Sequence, residues 1–340
     1  MNGSFERVEL PLDRAFTIAR GTTEVAENVV VRLEHEDTVG VGAAAPSAHY
    51  GETADTVAAV LPDLLAAVEN VDPLNLDRAE RAMRETVRDN PAARSAVSVA
   101  LHDLAAKRLD VPLYSLLGLD PERTVTSSFT VGLDDPEAMA EAAGEAVENG
   151  YGVLKIKLGT DRDTATLDAV RSAAPEARIR VDANGAWTPR EAAEKSVLLH
   201  DHGVEFLEQP VPGEDVEGLR FVREHGAVPV AADEACVTLP DVPRVAGACD
   251  VVNLKLMKCG GVREAVRMVH AARAHGLEVM LGCMVETNAA IAAACHLAPL
   301  LDYADLDGSL LLAEDPYDGV PMPGGRIDLG GVERGTGARR

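Results

Sequence analysis

The stretch VLKIKLGTDRDTATLDAVRSAAPEARIRVD, residues 153 to 182, decides the fold. It begins with a short apolar run, continues with a segment of helical periodicity and ends with a second apolar run. This order is typical of a strand, a helix and a second strand that runs parallel to the first. Charged residues end both runs, namely Lys155 and Lys157 in the first and Asp182 in the second. Because ligand sites of parallel α/β folds lie at the carboxyl ends of the strands, these side chains are candidate functional groups.

The same strand and helix unit recurs from about residue 124 to about residue 307. Apolar runs predict strands at residues 126–131, 153–157, 179–182, 205–208, 228–232, 251–255, 278–282 and 303–307. Eight parallel strands with helices between them favour a closed α/β barrel. A doubly wound open sheet is the alternative, but the glycine-rich phosphate-binding turn that such a sheet carries after an early strand is absent from the sequence.

The residues before this repeat predict a second, smaller unit. Alternating apolar residues indicate antiparallel strands at 5–12, 27–33 and 39–45, and helical periodicity follows between residues 53 and 109. The segment after residue 310 is rich in glycine and proline, which is typical of loops and short strands. We therefore expect an α+β capping domain at 1–120, a catalytic barrel domain at 121–310 and a C-terminal segment at 311–340 that packs back on the cap.

The composition argues against several classes of function. The chain has 56 acidic and 32 basic residues, and this formal net charge of −24 disfavours nucleic acids and anionic membranes as partners. Such an acidic, lysine-poor composition resembles that of cytoplasmic proteins from salt-accumulating archaea, and an ordinary acidic surface is the alternative. The five cysteines have no CxxC spacing, which indicates free thiols. A charged N-terminus and the lack of a long apolar run predict a cytoplasmic protein.

Six ionisable residues end or directly follow predicted barrel strands: Lys155, Lys157, Asp182, Glu208, Asp233 and Lys255. In a barrel they would converge on one mouth. Three carboxylates form a hard oxygen site that suits Mg²⁺, whereas zinc favours histidine or cysteine. Lys155 and Lys157 point to the same side of their strand, where each positive charge opposes protonation of the other, so one of them can act as a base near neutral pH. Lys255 comes from a distant strand and would reach the opposite face of a bound ligand.

Five motifs in this order resemble the muconate-lactonising subgroup of the enolase superfamily: LKIKLG (154–159), VDANGAW (181–187), FLEQPV (206–211), AADEA (231–235) and NLKLMKCGG (253–261). The resemblance covers essentially the whole chain. It implies a modified TIM barrel, (β/α)₇β, with an N-terminal α+β capping domain. For the site it implies one Mg²⁺ ion per subunit on Asp182, Glu208 and Asp233, two bases, Lys157 and Lys255, and a neighbour, Lys155, that tunes Lys157. Asn184, Gln209 and Glu234 would support the metal ligands.

The resemblance implies that a lysine removes the proton next to a substrate carboxylate. Return of a proton to the other face gives epimerisation, whereas loss of a leaving group gives elimination or cycloisomerisation, and the lysines do not choose between them. Asp305 and Asp307 lie two residues apart at the last predicted strand end and resemble the pair that holds the α-ammonium group in dipeptide epimerases. A solvated loop residue is the alternative for one of them. We therefore predict an isomerase that epimerises an L,L-dipeptide, with a lyase, either a muconate-type cycloisomerase or an o-succinylbenzoate synthase, as the alternative. A non-catalytic metal-binding protein is a third hypothesis.

Four further residues are candidates for substrate contact: Arg20, Tyr50, Thr130 and Glu286. By resemblance, Arg20 lies in a mobile loop that closes over the barrel, and Thr130 occupies a substrate-contacting position. Their alternatives are a surface arginine, a turn residue at Tyr50, a favoured strand residue at Thr130 and a helix N-terminal acid at Glu286. Lys258 lies past its strand end, and we expect it to start the next helix. We also expect a small-molecule carboxylate as the partner and a symmetric homo-oligomer.

Overall fold

A three-stranded antiparallel sheet begins the chain in the computed structural model, which describes residues 1–340. Its strands are β1 (Asn2–Ile18), β2 (Gly21–His35) and β3 (Thr38–Ala44). Four helices follow, namely α1 (Ala54–Glu69), α2 (Leu76–Thr86), α3 (Pro91–Arg108) and α4 (Leu113–Leu116). Helix α3 is buried along most of its length and lies directly on β3. This contact needs small residues, because a Cβ atom at Gly40 would lie 2.1 Å from the Ala100 carbonyl oxygen.

The second sheet has eight parallel strands in the order β11 to β4. They are β4 (Phe129–Val131), β5 (Val153–Lys157), β6 (Arg178–Asp182), β7 (Val204–Glu208), β8 (Val230–Ala232), β9 (Val251–Lys255), β10 (Glu278–Gly282) and β11 (Tyr303–Asp305). A bridge between Ser127 and Ala304 joins the two ends of the sheet, with the Ser128 amide 3.0 Å from the Ala304 carbonyl oxygen. The sheet is therefore a closed barrel, which confirms the predicted fold class.

Helices connect the barrel strands and cover the outside of the barrel. They are α5 (Pro136–Glu148), α6 (Asp163–Ala173), α7 (Pro189–Asp201), α8 (Val216–His225), α9 (Asp241–Val245), α10 (Leu256–Cys259), α11 (Val262–Ala274) and α12 (Asn288–Cys295). Short 3₁₀ turns lie at Ala48–Tyr50, Ala298–Leu300 and Pro323–Gly325. One continuous apolar core of 89 buried residues runs through the cap and the barrel. None of the helices combines the length and apolar character needed to span a membrane.

Several strand bounds differ from those predicted. The first barrel strand is shorter than 126–131, because Thr126 pairs with Arg326 and Ser127 pairs with Ala304 instead. The strand predicted at 228–232 begins at Val230, since Pro229 has no amide hydrogen to donate to a neighbouring strand. The last strand ends at Asp305 and not at residue 307. The first two cap strands are much longer than predicted, because their exposed ends pair through the backbone, which the side-chain pattern does not show.

The C-terminal segment lies against the cap and the barrel. Leu312 forms a bridge with Leu12 in β1, and the Leu113 amide at the start of α4 donates to the Gly335 carbonyl at 2.8 Å. Thr336 donates its amide to buried Asp103 of α3, also at 2.8 Å. The segment therefore closes over the junction between the two larger parts of the molecule.

Candidate active site

Strand geometry brings all six predicted ionisable residues to one mouth of the barrel. Five of them are the last or near-last residues of β5, β6, β7 and β9, and Asp233 directly follows β8. Each of the six side chains is buried. One ligand oxygen from each of Asp182, Glu208 and Asp233 lies within 4.8 Å of the others. The structure thus brings together the carboxylates and lysines that the sequence singled out.

Each of the three carboxylates has one oxygen held from behind by a polar group of the barrel. The donors are the Asn184 amide for Asp182 Oδ1 (2.8 Å), Asn253 Nδ2 for Glu208 Oε1 (2.7 Å) and Lys258 Nζ for Asp233 Oδ1 (2.6 Å). Because one oxygen is held in place, the orientation of each carboxylate is set before any ligand binds.

The remaining oxygens face the lysines. Lys155 Nζ lies 3.1 Å from Asp182 Oδ2 and 2.8 Å from Glu208 Oε2. Lys157 Nζ lies 2.6 Å from the same Asp182 oxygen, so the two ammonium groups are neighbours. Lys255 Nζ lies 2.7 Å from Asp233 Oδ2. The three lysines therefore surround the inward-facing oxygens of the carboxylate cluster.

The donor set of this cluster fits a Mg²⁺ ion. All three groups are carboxylates, which are hard oxygen ligands, and together they leave room for substrate oxygens in an octahedral shell. Glu208 Oε2 is buried and accepts no hydrogen bond, although Lys155 Nζ is close to it. Burial and the negative charge of Asp182 raise the pKa of Glu208 to about 7. Glu208 therefore has a buried oxygen without a hydrogen-bond donor, and a divalent cation held by the three carboxylates would satisfy it.

The pKa of Lys155 differs from what its spacing to Lys157 predicts. Burial lowers the pKa of Lys155, but Asp305, Glu208 and Asp182 outweigh that effect and hold it well above the ordinary value. The pKa of Lys255 is likewise raised, because Asp233 outweighs burial. For Lys155 the expected lowering by its neighbour is wrong, because the carboxylates from the other strands contribute more than the neighbouring ammonium group.

A cavity of about 680 Å³ lies between the barrel mouth and the cap. Lys155, Lys157 and Lys255 line its base. Apolar residues of the cap and of the loop after β10 contribute to its wall, among them Phe16, Ile18, Ala26, Met284 and Val285. This volume lies within the range of about 300–1,000 Å³ that small-ligand sites usually have.

Asp305 and Asp307 both line this cavity, but their environments differ. Asp305 accepts hydrogen bonds from Lys155 Nζ (2.8 Å) and from the Ser128 hydroxyl (2.6 Å). Asp307 accepts one from the Thr130 amide at 2.6 Å and contacts no cation. Burial and the charge of Asp305 raise the pKa of Asp307 to about 7. Asp307 is therefore the carboxylate of this pair that has room for an additional cation.

Arg20 links the cap to the barrel mouth. It lies in the turn between β1 and β2, and its Nη2 is 2.7 Å from Glu234 Oε1 while Nη1 donates to the Asn184 carbonyl at 3.2 Å. The Asn184 side chain in turn lies 3.4 Å from Glu234 and 3.3 Å from Asp182 Oδ2. Polar contacts thus run from the cap turn to one of the metal-ligand candidates.

The remaining substrate-contact candidates divide into two groups. Tyr50 and Thr130 line the cavity, and burial together with the charge of Asp233 raises the pKa of the Tyr50 phenol. Glu286 is buried outside the cavity lining, where its Oε1 accepts a hydrogen bond from the Met284 amide at 2.7 Å. Burial raises the pKa of Glu286 to about 7. Glu286 therefore stabilises the loop after β10 in this structure.

Two supporting residues, Lys258 and Asn253, were misplaced or missed from the sequence, whereas Gln209 was named there. Lys258 does not merely start the next helix, because its side chain turns back from α10 and contacts Asp233. Gln209 adopts a positive φ of 37°, and its Oε1 accepts the amides of Asp233 and Ala235. Asn253 was not identified at all. The only available signal was for Lys258, which is one of few lysines in the chain and lies three residues after Lys255.

Comparison with known protein families agrees with this architecture. Residues 5–118 match the mandelate racemase / muconate lactonizing enzyme N-terminal domain, and residues 138–329 match the enolase C-terminal domain-like family. The first match covers the cap sheet and its helices. The second covers most of the barrel and contains all three carboxylates of the cluster.

Individual relatives cover nearly the whole chain. The L-Ala-D/L-Glu epimerase of Bacteroides thetaiotaomicron is 37% identical over 97% of this chain and 85% of its own length. The hydrophobic dipeptide epimerase of Enterococcus faecalis is 37% identical over 92% of this chain and 91% of its own length. A crystal structure of a dipeptide epimerase from Enterococcus faecalis in complex with Mg and L-Leu-L-Tyr superimposes with a TM-score of 0.95 at 35% identity, covering 99% of each chain. The chain is therefore an enzyme of the isomerase class and belongs to the enolase superfamily, within its mandelate racemase and muconate lactonizing branch.

Proposed function

We propose that this enzyme epimerises L,L-dipeptides at the α-carbon of the C-terminal residue. The observation that carries the proposal is that one cavity contains two lysines from opposite sides of the barrel and a carboxylate with room for a cation. The relatives named above are epimerases of dipeptides, and one of their structures holds such a dipeptide. Both facts support a substrate that has a carboxylate at one end and an ammonium group at the other.

Lys157 and Lys255 are suited to transfer protons on the two faces of a substrate. Strands β5 and β9 are separated by β6, β7 and β8 in the barrel, so the two side chains approach the carboxylate cluster from different sides. In the proposed reaction one lysine removes the α-proton and the other delivers a proton to the opposite face. The configuration of that carbon is thereby inverted, and no other bond is broken.

Asp182, Glu208 and Asp233 would hold a Mg²⁺ ion next to the substrate carboxylate. When bound, Mg²⁺ supplies positive charge that fixes this carboxylate and stabilises the negative charge that develops as the α-proton leaves. Lys155 contacts Asp182, Glu208 and Asp305 at the same time. Its ammonium group therefore remains a fixed positive charge beside the reacting carbon and is not the base.

Asp307 and Asp305 place two carboxylates at the end of the cavity next to β11. An α-ammonium group would pair with the open oxygen of Asp307, while Ser128 and Lys155 hold Asp305. The alternative substrates, muconate and succinylbenzoate, carry no ammonium group. Two carboxylates at this end would repel such polyanions, and this electrostatic argument favours the epimerase over the lyase.

Proton NMR in D₂O tests the proposal directly. The enzyme is incubated with Mg²⁺ and with L-Ala-L-Glu, L-Leu-L-Tyr and related dipeptides. We expect the α-proton signal of the C-terminal residue to disappear while signals of the L,D diastereomer grow, and we expect Lys157→Ala to abolish this conversion. If no dipeptide exchanges its α-proton while a muconate or succinylbenzoate substrate is converted, the epimerase proposal is wrong and the lyase alternative replaces it.

A further inference from the structure

Lys258 is buried behind the metal-ligand candidates and is not part of the proposed reaction. We infer that Lys258 is a positioning residue, which serves as the permanent counterion of Asp233 and thereby leaves Lys255 free to act on the substrate. The inference rests on the proposed function where it concerns Lys255. Where it concerns Asp233 and metal binding, it stands on the contacts of Lys258 alone.

The ammonium group of Lys258 is fully occupied by hydrogen-bond acceptors. Its Nζ lies 2.6 Å from Asp233 Oδ1 and 2.7 Å from the Asp233 carbonyl oxygen. The carbonyl oxygens of Cys236 and Asn253 lie at 3.0 Å and 2.8 Å. An ammonium group has three hydrogens to donate, and here four acceptors surround it. Lys258 is 1% exposed and does not line the cavity, so it has no access to a substrate proton.

Asp233 is the one member of the carboxylate cluster that is held from behind by a charged group. The donors behind Asp182 and Glu208 are a backbone amide and a side-chain amide, which are both neutral. Asp233 also contacts Lys255 through its other oxygen at 2.7 Å. This carboxylate therefore has two lysine partners, one of which is enclosed by protein while the other lines the cavity.

Lys258 matters as a second partner because burying a carboxylate without a positively charged neighbour has a high cost in free energy. If Lys255 were the only lysine partner of Asp233, its movement toward a substrate would leave this carboxylate with no positively charged side chain beside it. Lys258 removes this difficulty, since it stays bound to Asp233 whatever Lys255 does. It also holds Asp233 Oδ1 on the side away from the cavity, which leaves Oδ2 directed at the site where a metal ion would bind.

Mn²⁺ binding to the protein without substrate tests the positioning of Asp233. Removing a group that orients a metal ligand typically weakens metal binding about 10–100-fold, and we expect a loss of this size for Lys258→Met, measured by electron paramagnetic resonance of free Mn²⁺. Lys107→Met is the matched control, because Lys107 Nζ also lies 2.6 Å from a buried aspartate, Asp103, but far from the site in the cap. It should bind Mn²⁺ like the wild type. Equal affinities for Lys258→Met and the wild type would overturn the inference.

Isotope exchange tests the link to Lys255. Deuterium uptake is measured separately from the L,L and the L,D dipeptide, because each epimer presents its α-proton to a different lysine. We expect Lys258→Met to slow exchange from one epimer at least ten times more than from the other. A purely structural role would slow both equally, and that outcome contradicts the assignment. If the wild type exchanges neither epimer, the proposed function fails, but the Mn²⁺ comparison still decides the role of Lys258.

A measurement on the wild type covers the case in which Lys258→Met does not fold. The chain has only six lysines, so a ¹⁵N-lysine spectrum contains at most six side-chain ammonium signals. The inference predicts a slowly exchanging ammonium signal, assigned to Lys258 by its proximity to Cys236 and Asn253, that persists when Mg²⁺ is added, because buried hydrogen bonds protect Lys258 from solvent. If no ammonium signal persists, Lys258 is not a permanent counterion and the inference is wrong.

Discussion

Asp305 and Asp307 show how two identical side chains, two residues apart, acquire different tasks. Asp305 is bound by Lys155 and Ser128, whereas Asp307 accepts a single backbone hydrogen bond and is open to the cavity. Removing the charge of Asp305 breaks an ion pair with Lys155, whereas removing the charge of Asp307 breaks no ion pair within the protein. The two residues are therefore expected to affect different kinetic parameters.

Asp307→Asn should raise KM for dipeptides by roughly 10- to 100-fold and leave kcat within a few-fold, because it removes the partner of the substrate ammonium group but no group that touches the reacting carbon. Asp305→Asn should mainly lower kcat, because Lys155 loses an ion pair beside the carboxylate cluster. Steady-state kinetics by NMR on both variants separates these effects. Identical changes of KM and kcat in the two variants would show that the distinction between them is wrong.

At the scale of secondary-structure elements, the turn between β1 and β2 is tied to the barrel by Arg20. The ion pair of Arg20 with Glu234 is largely shielded, since the Glu234 side chain is 4% exposed. A second arginine, Arg14 in β1, pairs with Glu145 on α5 at 2.9 Å, but both residues of this pair are open to solvent. Exposed pairs contribute little to stability, so the two arginines form a matched comparison.

Arg20→Met should release the turn from the barrel mouth and raise KM for dipeptides about tenfold, while Arg14→Met should leave KM unchanged. The reason is that Arg20 contacts both Glu234 and the Asn184 backbone, which lead to Asp182. Hydrogen exchange of the turn amides, measured by mass spectrometry, should become faster only in Arg20→Met. An unchanged exchange rate in that variant would exclude this arginine as the link between cap and barrel.

His296, which directly follows α12, connects two other parts of the fold. Its Nδ1 accepts from the Tyr114 amide in α4 at 3.0 Å, and its Nε2 donates to the Thr336 carbonyl in the C-terminal segment at 3.1 Å. The ring is neutral in this arrangement, because one nitrogen accepts and the other donates. Burial lowers the pKa of His296 to about 4, against about 6.5 in an unfolded chain.

Because the folded state binds the proton less tightly, the stabilising effect of His296 is complete above pH 6.5 and is lost as the pH falls from 6.5 toward 4. The shift corresponds to a loss of about 3 kcal/mol in the free energy of unfolding. Urea unfolding at several pH values should show a shallower fall over this window in His296→Gln than in the wild type. Equal slopes for the two proteins would mean that His296 does not contribute to acid sensitivity.

For the whole molecule, the formal charge of −24 is the dominant electrostatic property. Self-repulsion of this charge destabilises the compact state, and salt screens it, since the Debye length falls from about 10 Å at 0.1 M to about 3 Å at 1 M. We expect the melting temperature to rise between 0.05 M and 1 M KCl, as measured by circular dichroism. A melting temperature that stays constant or falls would contradict the hypothesis of adaptation to high salt.

The sequence by itself determined the order of strands and helices, the closed barrel and the six residues at its mouth. It could do so because each βα unit combines a short apolar strand with an amphipathic helix, and this pattern recurs along the chain. In addition, the carboxyl ends of parallel strands lie on one side of the sheet. The composition also decided that the five cysteines stay free, and the structure confirms this. The homo-oligomer remains a prediction.

Only the tertiary structure determined which of these charged residues form ion pairs with one another. The spacing of Lys155 and Lys157 shows two adjacent cations, but the carboxylates that raise the pKa of Lys155 come from β6, β7 and the end of β11. Lys258 lies beyond a strand end in the sequence, yet the one-turn helix α10 directs it back to Asp233. Hydrogen bonds and ion pairs depend on distances of a few ångströms between segments far apart in the chain, and a local pattern contains no information about those distances.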